Sequence, residues 1–274
     1  SRESGLGRGF QYYEDQMLSP GDILDSSSFG RIVTAKMQLT GVMHDEVNRK
    51  SAKQVNESVL GWLSGRRNER PFFAFLNYYD AHDPYCPPGE FAQEFCGGRS
   101  RGTLDPHKSY SAIELRELRD AYDGAIASLD HHIGHLFSAL EQRGALKNTL
   151  VVIVSDHGEH FGEHNLICHG NSLYMPLLAV PLVVLFPRGK HAGEVISETV
   201  SLRDLPTTVM NVLGLGDTFH FPGQSLLRFW PGGSLTSSVA KSSPAFSERR
   251  SSFGPTVAKG FVQIGPQSSL ICNN

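Results

Sequence analysis

Six titratable side chains lie in one ten-residue stretch, SDHGEHFGEH, at residues 155–164. This stretch follows directly after the apolar run TLVVIV. Carboxylate oxygen with imidazole nitrogen suits Zn²⁺ or Mn²⁺, whereas oxygen alone suits Mg²⁺ or Ca²⁺. Asp156 and His157 come first after the run and are the candidate metal ligands. The alternative from the residues alone is that Asp156 caps a turn and His157 is a surface side chain.

The same segment is rich in histidine, since four of the twelve His residues are His157, His160, His164 and His169. This clustering favours a metal or anion site. His160 and His164 are four residues apart, but the residue after His160 is not the Glu that the helical zinc-protease signature requires. We therefore interpret these two residues as solvated or hydrogen-bonded loop histidines.

The elements that must position these residues alternate between strands and helices. Apolar runs predict buried strands at FFAFL (72–76), LVVIVS (150–155) and PLVVLF (181–186). Apolar spacing predicts helices over 44–66, 111–144 and 203–214, the second opening with a capping box of Ser111 and Glu114. The pattern predicts an α/β fold with a mainly parallel sheet, helices on both faces, and ligands beyond the carboxyl ends of the strands.

The composition excludes some partners and predicts a boundary near the carboxy-terminus. With 25 basic and 28 acidic residues, the net charge of −3 provides no broad cationic surface for nucleic acid. The longest apolar run, at 176–187, is too short to span a bilayer and contains prolines, so no transmembrane segment is expected. Residues 226–274 are rich in Ser, Gly and Pro, which predicts a separate carboxy-terminal segment, either flexible or a truncated subdomain.

Several long runs together resemble one known family. They are YDGAIASLDHHIGHLFSALEQRGALKNTLVVIVSDHGEHFGEH, FFAFLNYYDAHDPYCPP and SLRDLPTTVMNVLGL, with RGFQYYED near the start. This ordered set resembles the carboxy-terminal half of the sulfatase family, within the alkaline phosphatase superfamily. The resemblance covers about residues 5–227, and it implies an alkaline phosphatase-like fold for residues 1–225.

The resemblance also implies roles for four residues. Asp156 and His157 match the late pair of metal ligands in the family, where His replaces the Asn of many arylsulfatases. The implied cofactor is a divalent ion, calcium first, with manganese, zinc or magnesium as alternatives. His82, in AHDPY, matches a His that contacts the sulfate or phosphate group. His169 falls near a Lys that contacts the same anion in many relatives, so His82 and His169 are the candidate catalytic residues.

The family nucleophile, in a Cys- or Ser-x-Pro-Ser-Arg segment, does not occur in these 274 residues, and neither does the early pair of Asp ligands. We therefore expect the later part of a sulfatase-like domain that is inactive alone. The complete enzyme is expected to cleave sulfate esters with a metal. The alternatives are a phosphodiesterase, phosphonate hydrolase or phosphoglycerol transferase of the same superfamily, and a non-catalytic binding protein that keeps the fold.

Overall fold

The computed structural model describes Gly5, residues 7–14, 50–66, 70–98 and 104–230, and the backbone of 257–259. The chain divides into two compact units, which we describe separately. Unit 1 comprises residues 1–103 and 116–139, and unit 2 comprises residues 104–115 and 140–274. His82 therefore belongs to unit 1, whereas Asp156, His157 and His169 belong to unit 2.

The regular secondary structure in the described part of unit 1 is helical. Helix α1 spans Ala52–Gly65 and α2 spans Gly89–Cys96. A capping box begins α1, because the Gln54 N–H donates to Ser51 Oγ and the Ser51 N–H donates to Gln54 Oε1 at 2.9 Å. The helix predicted over 44–66 is thus confirmed from Ala52 onward, and its residues 44–49 lie outside the described residues.

The long helix α3 spans Ala112–Gln142, and its residues 116–139 form part of unit 1. Its predicted capping box is confirmed, with the Ser111 N–H donating to Glu114 Oε2 at 2.8 Å. Helix α3 packs closely at Gly124, where an added Cβ would lie 3.1 Å from Phe95 and from Pro87. Across the described parts of the chain, no helix combines the length and the apolarity that crossing a bilayer requires.

Residues 72–76 have no regular secondary structure. The side chains of Phe73 and Phe75 are 66% and 73% exposed, so the predicted strand, buried on both faces, is not formed by the described residues. A strand needs a neighbouring strand for its backbone hydrogen bonds, and none of the described residues pairs with this segment. An apolar run indicates a preference for burial, but it does not supply the partner.

The described part of unit 2 contains six short strands that pair two by two. Strand β1 (Val151–Val154) pairs with β4 (Leu182–Leu185), β2 (His160–Phe161) with β3 (Ile167–Cys168), and β5 (Thr199–Ser201) with β6 (Val257–Lys259). All three pairs are antiparallel, with Val151 opposite Leu185 and Val154 opposite Leu182 in the first. The expected parallel sheet is not formed by these strands.

The connection from β1 to β4 explains the antiparallel pairing. Parallel neighbours need a crossover connection, usually a helix packed on the sheet face. Here the connecting segment contains the β2–β3 hairpin and the four-residue helix α4, Met175–Leu178, so the chain reverses direction instead. The apolar runs at 150–155 and 181–186 are strands as predicted, but their relative direction was not encoded in their composition.

Helix α5 spans Asp204–Val212. The hydrophobic core of unit 2 lies around β4 and the segment that follows α5. Its buried members are Val180, Leu182, Val184, Phe186, Val200, Leu226 and Trp230. The last two belong to the segment predicted to begin at residue 226, so residues 226–230 pack into this core. The division between 1–225 and 226–274 stays a prediction.

Asp204, at the start of α5, connects three segments of unit 2. Its carboxylate accepts hydrogen bonds from the Ser201 N–H at 3.3 Å and the Gln224 N–H at 2.9 Å. It also pairs with Arg228 Nη2 at 3.2 Å, and its side chain is only 10% exposed. Gly223 permits this arrangement, since its φ is +128° and an added Cβ would lie 2.2 Å from the Arg203 carbonyl oxygen. The carboxylate therefore holds residues 224–228 against the start of α5.

We expect Asp204→Ala to lower the free energy of unfolding of unit 2 by about 2–3 kcal/mol, because it removes hydrogen bonds to a largely buried charge and the ion pair with Arg228. Urea denaturation followed by Trp230 fluorescence, in a Trp62→Phe background, measures this change. Asp217→Ala removes an exposed carboxylate and is the matched control. Equal unfolding midpoints for the two variants would contradict the role assigned to Asp204.

Candidate active site

The loop that carries the predicted ligands leaves β1 at residue 155 and is fixed by backbone contacts to α4. The Gly158 N–H donates to the Leu177 carbonyl at 2.9 Å. A Cβ at Gly158 would lie 2.0 Å from the Pro176 carbonyl oxygen, so only glycine fits. Ser155 Oγ donates to the His157 carbonyl at 2.7 Å and closes the turn. Close backbone approach is therefore the reason for Gly158.

Asp156 and His157 have the chemistry of two ligands of one divalent ion. His157 Nδ1 lies 2.8 Å from the Gly158 carbonyl oxygen, which accepts a hydrogen bond from Nδ1–H and leaves the lone pair of Nε2 free to bind a ligand. Metal-binding histidines commonly donate their second N–H in this way. His157 Nε2 lies 3.9 Å from Asp156 Oδ1, and the Asp156 side chain is 88% exposed. Within the described residues no group of three or more His, Cys, Asp or Glu side chains converges to hold a metal ion, so this pair offers two potential donors and no third.

His169 contacts this pair directly, and it is held by a carboxylate, Glu159, that the sequence analysis did not single out. Its ring stacks on His157, with the centroids 4.2 Å apart and the planes at 27°. Both carboxylate oxygens of Glu159 lie 3.1 Å from His169 Nδ1, and the Glu159 side chain is 5% exposed. Glu159 therefore orients the ring and holds the proton on Nδ1. An acidic residue inside a histidine-rich segment was the available signal.

The β2–β3 hairpin contains the two histidines interpreted as loop residues. His160 is fully buried, and its Nε2 lies 2.8 Å from Ser172 Oγ. Its Nδ1 has no hydrogen-bond partner among the described residues, with Glu163 Oε2 3.9 Å away. Burial lowers the pKa of His160. His164 stacks on Tyr174 with centroids 3.8 Å apart. His160 is thus hydrogen-bonded, as interpreted, but it lies in a buried strand.

His82 lies in unit 1, in the turn at residues 80–84. Its Nδ1 is 2.6 Å from the Asp83 carbonyl oxygen, and its ring packs against Tyr79 with centroids 4.8 Å apart. Asp80 accepts the Ala52 N–H at 2.9 Å, which attaches this turn to α1. The structure thus brings Asp156, His157 and His169 together in unit 2, whereas His82 is held by its own unit.

A family model described as Sulfatase matches residues 9–215 of the chain, more than two thirds of its length. The chain belongs to the sulfatase family. The sulfatase family comprises sulfuric ester hydrolases and is generally metal-dependent. This membership confirms the resemblance drawn from the sequence, and it covers both units.

Individual relatives agree with this assignment. An arylsulfatase of Clostridium perfringens is 30% identical over 194 residues, which cover 63% of this chain and 40% of the relative. The multifunctional alkaline phosphatase superfamily protein PehA of Trinickia caryophylli is 29% identical, with the same coverage. A solved structure, titled for glycosaminoglycan metabolism by Bacteroides thetaiotaomicron, has a TM-score of 0.50 at 22% identity and covers 68% of this chain and 40% of its own. The chain thus spans about 40% of the length of these proteins.

We expect Gly158→Ala to destabilise unit 2 by about 1–3 kcal/mol, because the new methyl group forces the loop away from Pro176. Gly134→Ala, on an exposed turn of α3 with open space around it, is the matched control. It should be neutral or stabilise by up to about 1 kcal/mol, as alanine favours a helix over glycine. Thermal unfolding followed by circular dichroism measures both. A Gly158→Ala variant as stable as Gly134→Ala would contradict the close approach.

The buried His160 makes the stability of unit 2 depend on pH. Its folded-state pKa is lowered from 6.5 by burial, so the unfolded chain takes up this proton first as pH falls. The free energy of unfolding should therefore fall as the pH drops below about 6.5 toward the folded pKa, and the contribution is fully present above 6.5. Urea denaturation between pH 5 and 8 measures this slope. His160→Gln should flatten it, whereas His220→Gln, at an exposed position, should leave it in place.

Proposed function

We propose that the complete protein is a metal-dependent hydrolase of sulfate esters, to which this chain contributes part of the active site. The observation that carries the proposal is the cluster after β1, in which His157 lies beside Asp156 and stacks on His169. Membership of the sulfatase family supports the reaction class. The sulfatase names of relatives support a sulfate-ester substrate.

In this proposal, Asp156 and His157 hold the divalent ion, with calcium first and manganese, zinc or magnesium as alternatives. The bound ion would supply positive charge to polarise an attacking hydroxyl and the ester oxygens. The chain itself fixes one of its two ligating atoms, since the Gly158 carbonyl keeps the proton of His157 on Nδ1. Two ligands hold an ion weakly, so the remaining ligands belong to other parts of the complete protein.

His169 and His82 are the proposed anion-contacting and proton-donating residues. Glu159 accepts from His169 Nδ1, so a hydrogen bond or proton to an ester oxygen would come from Nε2. The same reasoning assigns Nε2 of His82, because its Nδ1 is bonded to the Asp83 carbonyl. Such donors stabilise negative charge as it develops on the leaving oxygen. Glu159 is a positioning residue that acts through His169.

We extend the proposal to the fold: in the complete protein, residues 72–76 form a strand of a mainly parallel sheet that has helices on both faces. Phe73 and Phe75 are large apolar side chains left exposed in the described structure. A neighbouring strand would bury these side chains and would supply hydrogen-bond partners for the backbone of residues 72–76. The chain covers only about 40% of its relatives, so the sheet can be completed by other segments of the complete protein.

A phosphate ester is the second candidate substrate. It is favoured by the 29% identity to a protein named as a multifunctional member of the alkaline phosphatase superfamily. Sulfate and phosphate groups present similar oxygens to the same donors, so the residues of this chain do not separate the two. Hydrolysis of an aryl sulfate against an aryl phosphodiester, by the same preparation of complete protein, does.

The proposal is tested in the complete protein by replacing the cluster residues one at a time. We expect His157→Ala, Asp156→Ala and His169→Ala each to lower metal-dependent hydrolysis of an aryl sulfate about a hundredfold or more. Asp217→Ala and His220→Ala remove the same side-chain types elsewhere in unit 2 and should retain activity. Full activity in both His157→Ala and His169→Ala would refute the assignment of the cluster.

The 274-residue chain should be inactive when assayed by itself, because it contains no family nucleophile segment and only half of the metal site. Hydrolysis of an aryl sulfate with and without added Ca²⁺ or Mn²⁺ measures this. The rate is expected to equal that of buffer. A metal-dependent rate that His157→Ala removes would show that the chain is sufficient for catalysis and would overturn this expectation.

A further inference from the structure

A second pair of histidines lies in unit 1, outside the proposed active site. His131 and His135 are four residues apart in α3, and both are exposed. Residues at this spacing lie on the same face of a helix, one turn apart. Their Nε2 atoms are 3.1 Å apart, and their ring centroids are 4.5 Å apart. The same nitrogen of both rings therefore lies at one place on the exposed face of α3.

The surroundings hold this pair in position. Phe91 of α2 packs edge-on against the His131 ring, with the centroids 5.6 Å apart. The neighbouring His132 carbonyl accepts a hydrogen bond from Asn56 Nδ2 at 2.7 Å, which fixes the helix backbone to α1 at this turn. The pair lies more than one turn inside the helix end at Gln142, so neither residue lies in a fraying terminus.

Two imidazole nitrogens at this spacing suit one class of ligand. Imidazole binds Cu²⁺, Ni²⁺ and Zn²⁺, and the affinity of a given site for these ions is highest for Cu²⁺. Ca²⁺ and Mg²⁺ prefer oxygen ligands and would not be held by this pair. In the structure the two nitrogens are within hydrogen-bond distance of each other at 3.1 Å, and an ion bound to both would displace that hydrogen bond.

We propose that His131 and His135 form a surface chelate for a divalent transition-metal ion, with Cu²⁺ bound most tightly. Each histidine contributes Nε2, and water completes the coordination of the ion. Because the chelate bridges one helical turn, the bound ion stabilises the folded form of α3 and raises its resistance to unfolding. The site needs neither Asp156 nor His157.

The proposal is tested by titrating the purified chain with CuCl₂, with calorimetry for affinity and electron paramagnetic resonance for the ligands of Cu²⁺. We expect one saturable Cu²⁺ with two equatorial imidazole nitrogens, a weaker response to NiCl₂ and none to CaCl₂ at this site. His131→Asn and His135→Asn should each weaken this binding by at least about tenfold, since even outer partners of a metal ligand contribute that much.

The controls separate this site from the other histidines of the chain. His157→Asn and His220→Asn should keep the two-nitrogen signal, and circular dichroism should show that the helical content of the His131→Asn/His135→Asn variant is unchanged. The wild-type chain should gain thermal stability with CuCl₂, and the double variant should lose that gain. Retention of the two-nitrogen signal and of the same Cu²⁺ affinity in the double variant would overturn the proposal.

Discussion

The candidate active site depends on the close approach of Gly158 to the backbone of α4. The hydrogen bond from Gly158 to Leu177 and the missing side chain let the loop after β1 lie flat against Pro176. That contact determines where Asp156 and His157 leave the strand. It also brings the Gly158 carbonyl to His157 Nδ1, so one glycine fixes both the path of the loop and the tautomer of His157. Any larger residue would disturb both.

The two imidazoles that follow this loop, His169 and His160, have different polar neighbours. Glu159 is almost fully buried and contacts only one nitrogen of His169, which then stacks on His157. Burying a carboxylate costs free energy unless the carboxylate is paired, so the contact with Glu159 holds His169 in place together with the packing. His160 is a different case, because it is buried beside Ser172 with one nitrogen unsatisfied. Its environment favours the neutral ring.

Much of the local structure could be predicted from sequence because its causes are local. The capping box of Ser111 and Glu114 involves residues three apart, and the helix that follows was predicted nearly to its ends. Residues 72–76 were predicted as a buried strand but are largely exposed in the described structure, because burial of a strand depends on a partner that its own composition does not specify. Glu159 was overlooked for a related reason. Its contact with His169 crosses ten residues of hairpin, and no periodicity records it.

The two proposed metal sites differ in the atoms that accompany the imidazole. At the end of β1, His157 lies beside an exposed carboxylate. Carboxylate oxygens are the ligands that hard ions such as Ca²⁺ prefer. On α3 the second donor is another imidazole, and the helix fixes its distance without help from a loop. A pair set by helix geometry is complete within one turn, so it requires no other segment. In the proposed active site the pair at the loop end supplies two donors, and the proposal assigns the other ligands to the rest of the complete protein.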